Sequence, residues 1–204
     1  MNVIRAVRNL CAILVTTLAL AGCQDPAREP IVDVRNHLPD LEFTLKAANA
    51  RSVTQDDVKG KVALVFFGYA NCPDICPTTM ARLTLVTQEL GEQAEQLRIL
   101  FISVDPHRDT PERLEEYVRA FDNPYAMGLA GTPEQIERLA RRYRVSYQIH
   151  APASTDDTSY EVSHSRGVYV FDRNGRVRLL VTDIDAPGSM QALTQAVRSL
   201  AGEG

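Results

Sequence analysis

Two strand-length apolar runs constrain the fold of this chain more than any other feature of its sequence. They cover residues 62–67 (VALVFF) and 98–104 (RILFISV). Neither run shows the alternation of apolar and polar residues that is typical of a strand with one solvent-exposed face. Such runs predict strands buried on both faces. A helix is expected after each run, because Pro77 and helically spaced apolar residues follow the first, and Thr110, Pro111 and Glu112 follow the second as N-cap, proline and acid.

Shorter segments complete an α/β pattern. A hairpin is expected before the first buried strand, and a strand, turn, strand and helix are expected at the C-terminal end. This order resembles the thioredoxin-like arrangement, with a central mixed sheet flanked by helices and an N-terminal β-hairpin extension. The expected segments are hairpin strands 41–46 and 51–54, strands 125–129, 145–149, 167–171 and 177–181, a helix capped by Thr132, and a closing helix over 189–200.

Size and charge favour one packed domain. The 204 residues are 45% hydrophobic and 24% charged, with a formal net charge of -4, which is typical of neither a disordered chain nor a multi-span membrane protein. No block of like charge is long enough to form a nucleic-acid-binding arm, so nucleic acid is not expected as a partner.

The N-terminal segment has the layout of a bacterial lipoprotein signal. Two arginines precede an apolar run over residues 10–20, which ends in Leu-Ala-Gly-Cys at Cys23. We expect residues 1–22 to be a signal peptide, Cys23 to be lipidated, 23–37 to be a flexible tether and 38–204 to be the domain. This predicts a domain held at the bacterial cell membrane, facing the periplasm or the cell exterior; a plain cleaved signal or an uncleaved anchor is the alternative.

The four cysteines leave one pair for the folded domain. Cys11 lies in the expected signal peptide and Cys23 at the expected lipidation site, so Cys72 and Cys76 remain. A disulfide that closes so short a loop stabilises a fold very little, because the unfolded chain loses little entropy. The pair therefore indicates redox or metal chemistry.

Both thiols are expected between a buried strand and the start of a helix. Unpaired N–H groups and the positive end of the helix dipole favour a thiolate there, and the thiolate is both the nucleophile and the metal ligand. If the residues between Cys72 and Cys76 are helical, the two side chains share one face roughly 6 Å apart. That spacing suits either a disulfide or two ligands of one metal ion.

Four motifs in order resemble the SCO/SenC family of copper chaperones. They are residues 71–80 (NCPDICPTTM), 102–112 (ISVDPHRDTPE), 131–134 (GTPE) and 162–165 (VSHS), and the likeness runs from about residue 38 to the C-terminus. The resemblance implies a membrane-anchored thioredoxin-like domain that binds copper, takes it from a copper donor protein and helps to assemble the copper centre of cytochrome c oxidase subunit II.

The resemblance also implies a ligand set, which by motif position is Cys72, Cys76 and His164. Two thiolates and an imidazole select soft or borderline ions; they suit copper as Cu(I) or Cu(II), and they leave zinc as a competitor. His107 follows the second buried strand and is the rival third ligand. Asp105, at the same sheet edge, is expected to orient the site from outside or to cap the turn into the next proline.

A metal-transfer protein is the leading functional hypothesis, and it is not a turnover enzyme. The alternative is an exported thiol-disulfide oxidoreductase or a related peroxidase, acting on cysteines of the oxidase subunit or of other proteins. Against that alternative, the spacing of Cys72 and Cys76 is C-x-x-x-C, and the chain has no tryptophan to precede the first cysteine. A purely structural lipoprotein is a third hypothesis, under which the two thiols have no role.

Overall fold

A computed structural model describes residues 29–150 and 160–203. The expected signal peptide 1–22, the lipidation site Cys23, the first part of the expected tether and the polar segment 151–159 lie outside the described residues. Within the described ranges, no helix combines the length and the apolar character needed to cross a bilayer.

A mixed six-stranded sheet forms the centre of the domain, as predicted. The strands of the domain are β1 Ile31–Asp33, β2 Thr44–Lys46, β3 Ser52–Thr54, β4 Val62–Gly68, β5 Leu97–Ser103, β6 Ala126–Leu129, β7 Tyr147–Ile149, β8 Val162–His164, β9 Val168–Phe171 and β10 Val177–Val181. The strand order of the sheet is β1-β10-β9-β4-β5-β6, with β4, β5 and β6 parallel and the other neighbours antiparallel. Two separate hairpins, β2–β3 and β7–β8, accompany it.

Four α-helices flank the sheet in the described part of the chain. They are α1 Ile75–Leu90, α2 Pro111–Arg119, α3 Pro133–Tyr143 and α4 Ser189–Gly202, and short 3-10 turns occupy Gln55–Val58 and Gly91–Gln96. The expected caps are present: the Thr110 hydroxyl accepts from the N–H of Arg113, and Thr132 forms a capping box with Gln135. Helix α1 packs against α4, and α2 packs along β6.

The two central strands are buried on both faces, as their composition predicts. Every residue of β4 is buried. Successive side chains of a strand point to opposite faces of the sheet, so neighbouring residues of β4 pack against different aromatic rings. Phe66 packs with Phe101, whereas Phe67 packs with Tyr143 and Tyr169. Full burial of one such ring contributes about 1.5–3 kcal/mol of transfer free energy.

Two short strands were not expected from the sequence. Ile31–Asp33 pairs with β10 at the edge of the sheet, although these residues lie inside the segment expected to be a tether. Val162–His164 pairs with β7, although no strand was expected there. A strand of the sheet thus lies within the segment expected to be a tether, and the third candidate ligand lies on a hairpin.

Candidate metal centre

The two cysteines lie where the buried strand β4 gives way to helix α1. Cys76 belongs to the first turn of the helix, but Cys72 lies in the loop before it, so the two residues do not share a helix face. The loop instead folds back on the helix start, and the backbone N–H of Cys76 lies 3.4 Å from the sulfur of Cys72. Neither cysteine is in a disulfide. The N-terminus of the helix thus donates a hydrogen bond to the sulfur of Cys72, which lies outside the helix.

Gly68, the last residue of β4, leaves the space that the Cys76 sulfur occupies. A Cβ atom at this position would lie 2.6 Å from Cys76 Sγ and 2.8 Å from the ring of Phe101. Both distances are far inside van der Waals contact, so any side chain at residue 68 would displace the thiol or the aromatic ring. The glycine lets the buried strand end directly beneath the sulfur.

His164 reaches the cysteine pair from the β7–β8 hairpin, where it pairs with Tyr147. Its Nε2 atom lies 3.3 Å from Cys76 Sγ and 4.0 Å from Cys72 Sγ. One ligand atom from each of the three residues falls within 4.8 Å of the other two. Among residues 29–150 and 160–203, this is the one group of three cysteine, histidine or acidic side chains close enough to share a metal ion.

The surroundings of His164 fix which ring nitrogen faces the sulfurs. Nδ1 lies 2.9 Å from the carbonyl oxygen of Ser165, and a carbonyl only accepts, so Nδ1 carries a proton and Nε2 is the nitrogen that faces the sulfurs. The rings of Phe66 and Tyr69 meet the imidazole edge to face, with centroids 6.0 and 5.8 Å away. The imidazole is thus oriented with Nε2 toward both cysteines.

The pKa values of the two cysteine thiols are shifted in opposite directions. A hydrogen bond from the Cys76 thiol lowers the pKa of Cys72 well below the ordinary thiol range, and contacts with His164 and backbone N–H groups act in the same direction against partial burial. The same hydrogen bond, together with burial, raises the pKa of Cys76. Without metal the pair therefore holds one proton, on the buried Cys76, and a thiolate on the more accessible Cys72.

The structure does not bring the other candidates to the sulfurs. His107 is exposed and lies outside the three-residue group. Asp105 is fully buried, but its carboxylate accepts from Arg108 and from the hydroxyl of Tyr160 at 2.6 Å. Asp105 therefore does not contact the imidazole, and its role in orienting the site from outside stays a prediction; the acceptor for Nδ1 of His164 is the backbone carbonyl of Ser165.

A buried carboxylate that the sequence analysis missed holds the cysteine loop to strand β5. Asp109 accepts from the backbone N–H of Ala70 at 3.0 Å and from the hydroxyl of Ser103 at 2.6 Å. Burial raises the pKa of Asp109, and Arg113, which lies near it, also donates to Asn71 of the loop. The one feature of the sequence that pointed to Asp109 was its position inside the 102–112 motif. That position did not show that its partners are Ala70 and Ser103.

The donor set determines which ions fit the site. Two sulfurs and one imidazole nitrogen suit soft or borderline ions and exclude calcium and magnesium, which require oxygen ligands. Because the site offers three protein ligand atoms and Cys72 is not fully buried, a bound ion would keep an open coordination position. Such a site can exchange ligands with a partner.

Known proteins resemble this chain over most of its length. The SCO2-like protein of Rickettsia prowazekii is 35% identical over 150 residues, which cover 73% of this chain and 72% of the relative. The copper-bound structure of ScoI from Bradyrhizobium japonicum is 33% identical with a TM-score of 0.68, covering 79% of this chain and 99% of that one. Copper-bound yeast Sco1 is 30% identical with a TM-score of 0.69, covering 79% and 90%.

The family profile agrees with these relatives and with the fold. The profile of the SCO1/SenC family matches residues 35–201, which include both cysteines, His164 and the whole six-stranded sheet except β1. With its mixed thioredoxin-like sheet and its cluster of two cysteines and one histidine, this chain belongs to the SCO1/SenC family.

Proposed function

We propose that this protein binds one copper ion through Cys72, Cys76 and His164, and transfers it during assembly of the copper centre of cytochrome c oxidase subunit II. The observation that carries the proposal is the approach of His164 Nε2 to both sulfurs, at 3.3 and 4.0 Å. Thiol-disulfide exchange by the two cysteines alone would not require an imidazole at this position. The copper-bound relatives and the family membership support the same ion.

The ligands match the demands of transfer. The two thiolates favour Cu(I), and the imidazole makes Cu(II) acceptable, so the site can hold either oxidation state. Cys72 is half-buried and Cys76 is fully buried. A copper donor protein and the oxidase subunit would therefore reach the ion from the side of Cys72, exchanging one ligand at a time.

Metal competition tests this proposal. Purified reduced protein, offered copper and zinc together, is expected to retain one equivalent of copper, because copper stands above zinc in the divalent affinity order and thiolates favour Cu(I). The retained metals are counted by elemental analysis after gel filtration. Retention of zinc in the presence of equal copper would make this a zinc site, and retention of neither would leave a bare thiol pair.

We also propose that the chain is anchored by lipid on Cys23 after removal of residues 1–22. Replacement of Cys23 by serine is expected to move the protein from the membrane fraction to the soluble fraction without altering copper affinity. Cys11→Ser is the matched control, since it removes a thiol from the expected signal peptide and leaves the lipidation site intact. Membrane attachment of Cys23→Ser equal to that of the control would indicate an uncleaved anchor.

The unequal thiols favour a second candidate function, thiol-disulfide exchange on cysteines of the oxidase subunit. An accessible thiolate beside a buried thiol is the arrangement of an attacking and a resolving cysteine. The two functions separate in the variant His164→Ala, which would lose Cu(II) affinity and keep its exchange activity. Loss of both activities in this variant would contradict a separate exchange function.

A further inference from the structure

Three side chains form a cluster beside the cysteine site, which we call the Arg108 clasp: Asp105, Arg108 and Tyr160. The guanidinium carbon of Arg108 lies 3.5 Å from the centroid of the Tyr160 ring, and Arg108 Nη1 donates to the carbonyl of Tyr160 at 2.8 Å. The hydroxyl of Tyr160 and Nε of Arg108 each donate to a different oxygen of Asp105. Each member of the clasp therefore contacts the other two.

One side of the clasp is fixed to the central sheet. Asp105 is fully buried, and its backbone N–H donates to the hydroxyl of Ser103, the last residue of β5, at 3.0 Å. The side chain of Arg108 is only 14% exposed, so its contacts with the aromatic ring and the carboxylate are largely shielded from water. Shielding strengthens both the cation-π contact and the ion pair relative to a surface pair.

The other side of the clasp is the hairpin that carries His164. Tyr160 stands two residues before β8, and this hairpin shares no strand with the six-stranded sheet. Its place against the sheet is therefore set by side-chain contacts rather than by the main ladder. The next contact along β8 is the N–H of Val162 with the hydroxyl of Tyr69 at 3.5 Å, and the ring of Tyr69 abuts His164.

We infer that Arg108 and Tyr160 are positioning residues that hold the His164 hairpin against the cysteine pair. With the clasp closed, the site has three protein ligands; with it open, the imidazole is free to leave and two sulfurs remain. Asp105 thus acts on the site through Tyr160 and Arg108, not by contact with the imidazole. This inference rests on the proposed function, and it adds residues that control how firmly the third ligand is held.

The clasp is expected to affect the two copper oxidation states differently. Thiolate pairs suffice for Cu(I), whereas Cu(II) depends more on nitrogen ligands. Residues that orient a metal ligand typically change metal affinity 10–100-fold when they are replaced. Opening the clasp should therefore weaken Cu(II) binding about tenfold or more and leave Cu(I) binding nearly unchanged.

The test combines Tyr160→Leu with His164→Ala in the full chain. The dissociation constant of Cu(II) is measured by chelator competition, and the sulfur-to-copper charge-transfer absorption is recorded for each protein. Tyr160→Leu is expected to weaken Cu(II) binding about tenfold when His164 is present and to have no further effect in the His164→Ala background. Tyr160→Phe, which keeps the ring over Arg108 and loses only the hydroxyl, should fall between the wild type and Tyr160→Leu.

A matched control variant is Tyr125→Leu. Arg98 also lies over the ring of Tyr125, at 5.9 Å, but this pair is at the amino end of β6, away from the cysteines. We expect this control to leave Cu(II) affinity unchanged. Thermal unfolding of both leucine variants shows whether their folds are retained, and Tyr160→Phe carries the test if Tyr160→Leu does not fold.

A measurement without metal separates this inference from the proposed function. In the metal-free protein, amide hydrogen exchange at residues 162–164 is expected to be faster in the Tyr160 variants than in the wild type. Unchanged exchange, unchanged Cu(II) affinity, or equal weakening in both His164 backgrounds would each overturn the positioning role. Failure of the wild-type protein to bind copper would overturn the proposed function alone, because the exchange result still decides the clasp.

Discussion

Replacing Cys76 with serine is expected to lower Cu(I) affinity by more than about 100-fold, because loss of a direct ligand exceeds the effect of losing a residue that orients one. This factor corresponds to about 2.7 kcal/mol. The serine hydroxyl is a hard, protonated oxygen at neutral pH, so it cannot replace a thiolate as a ligand for a soft ion. Cys72→Ser is expected to have an effect of the same size. Competition with a colourless Cu(I) chelator of known affinity measures both.

Two histidine variants complete this prediction. His164→Ala should weaken Cu(II) binding more than Cu(I) binding, since two thiolates still satisfy Cu(I). His107→Ala is the control, because His107 is exposed and lies outside the group of ligand atoms. Full Cu(II) affinity in His164→Ala, together with loss of affinity in His107→Ala, would make His107 the third ligand and refute the proposed site.

Stability must be measured alongside these affinities. Cys76 is fully buried in the first turn of α1 and lies against Gly68, so a serine there places a hydroxyl in a thiol-sized space at a cost of about 1–3 kcal/mol unless it finds a hydrogen-bond partner. Cys72 is half-buried, and its serine variant should unfold at nearly the wild-type temperature. Loss of copper by a folded Cys72→Ser protein therefore reports on the ligand and not on the fold.

The sequence predicted those parts of the fold that have local causes. The runs at 62–67 and 98–104 become β4 and β5 within one residue, because burial on both faces demands an uninterrupted apolar strand. The helix following Thr110 begins at Pro111 as expected, since a threonine cap followed by proline fixes its first turn. The strands β1 and β8 were missed because three residues carry no periodicity; only their partner strands hold them extended.

The candidate site divides in the same way. The motifs located both cysteines and His164, and the structure brings these three together. The sequence left two roles open for Asp105 because its partners are set by tertiary structure: Arg108 is near in sequence, but Tyr160 is 55 residues away and reaches Asp105 through the β7–β8 hairpin. The spacing that a helix between the cysteines would give does not apply, because the helix begins after Cys72; the two sulfurs nevertheless lie within 4.8 Å of each other.

Oxidation of the cysteine pair is expected to abolish copper uptake. The Cys72 thiolate and the Cys76 thiol together lose two electrons and one proton to an added oxidant such as diamide, and one S–S bond forms. The sulfurs already lie within 4.8 Å of each other, so modest side-chain and loop rotation brings them to the bond length of about 2.05 Å. A disulfide has no thiolate charge, so His164 would be the single remaining ligand and the site could not retain Cu(I).

The acidity of Cys72 makes this reaction unusually insensitive to pH. An ordinary thiol with a pKa near 8.5 loses about 100-fold of its thiolate between pH 8 and pH 6. The pKa of Cys72 is lowered, so its thiolate is present above that lowered value and is lost only when the pH falls through it. Reaction with a disulfide such as oxidised glutathione should therefore change less than about threefold over the same interval. Stopped-flow rates at constant ionic strength measure this, with Cys76→Ala as the variant that lacks the hydrogen bond. A rate that falls 100-fold in the wild type would show that Cys72 is an ordinary thiol.

The oxidation prediction has its own contradicting outcome. Copper uptake that survives complete oxidation of the cysteine pair would show that the metal binds elsewhere.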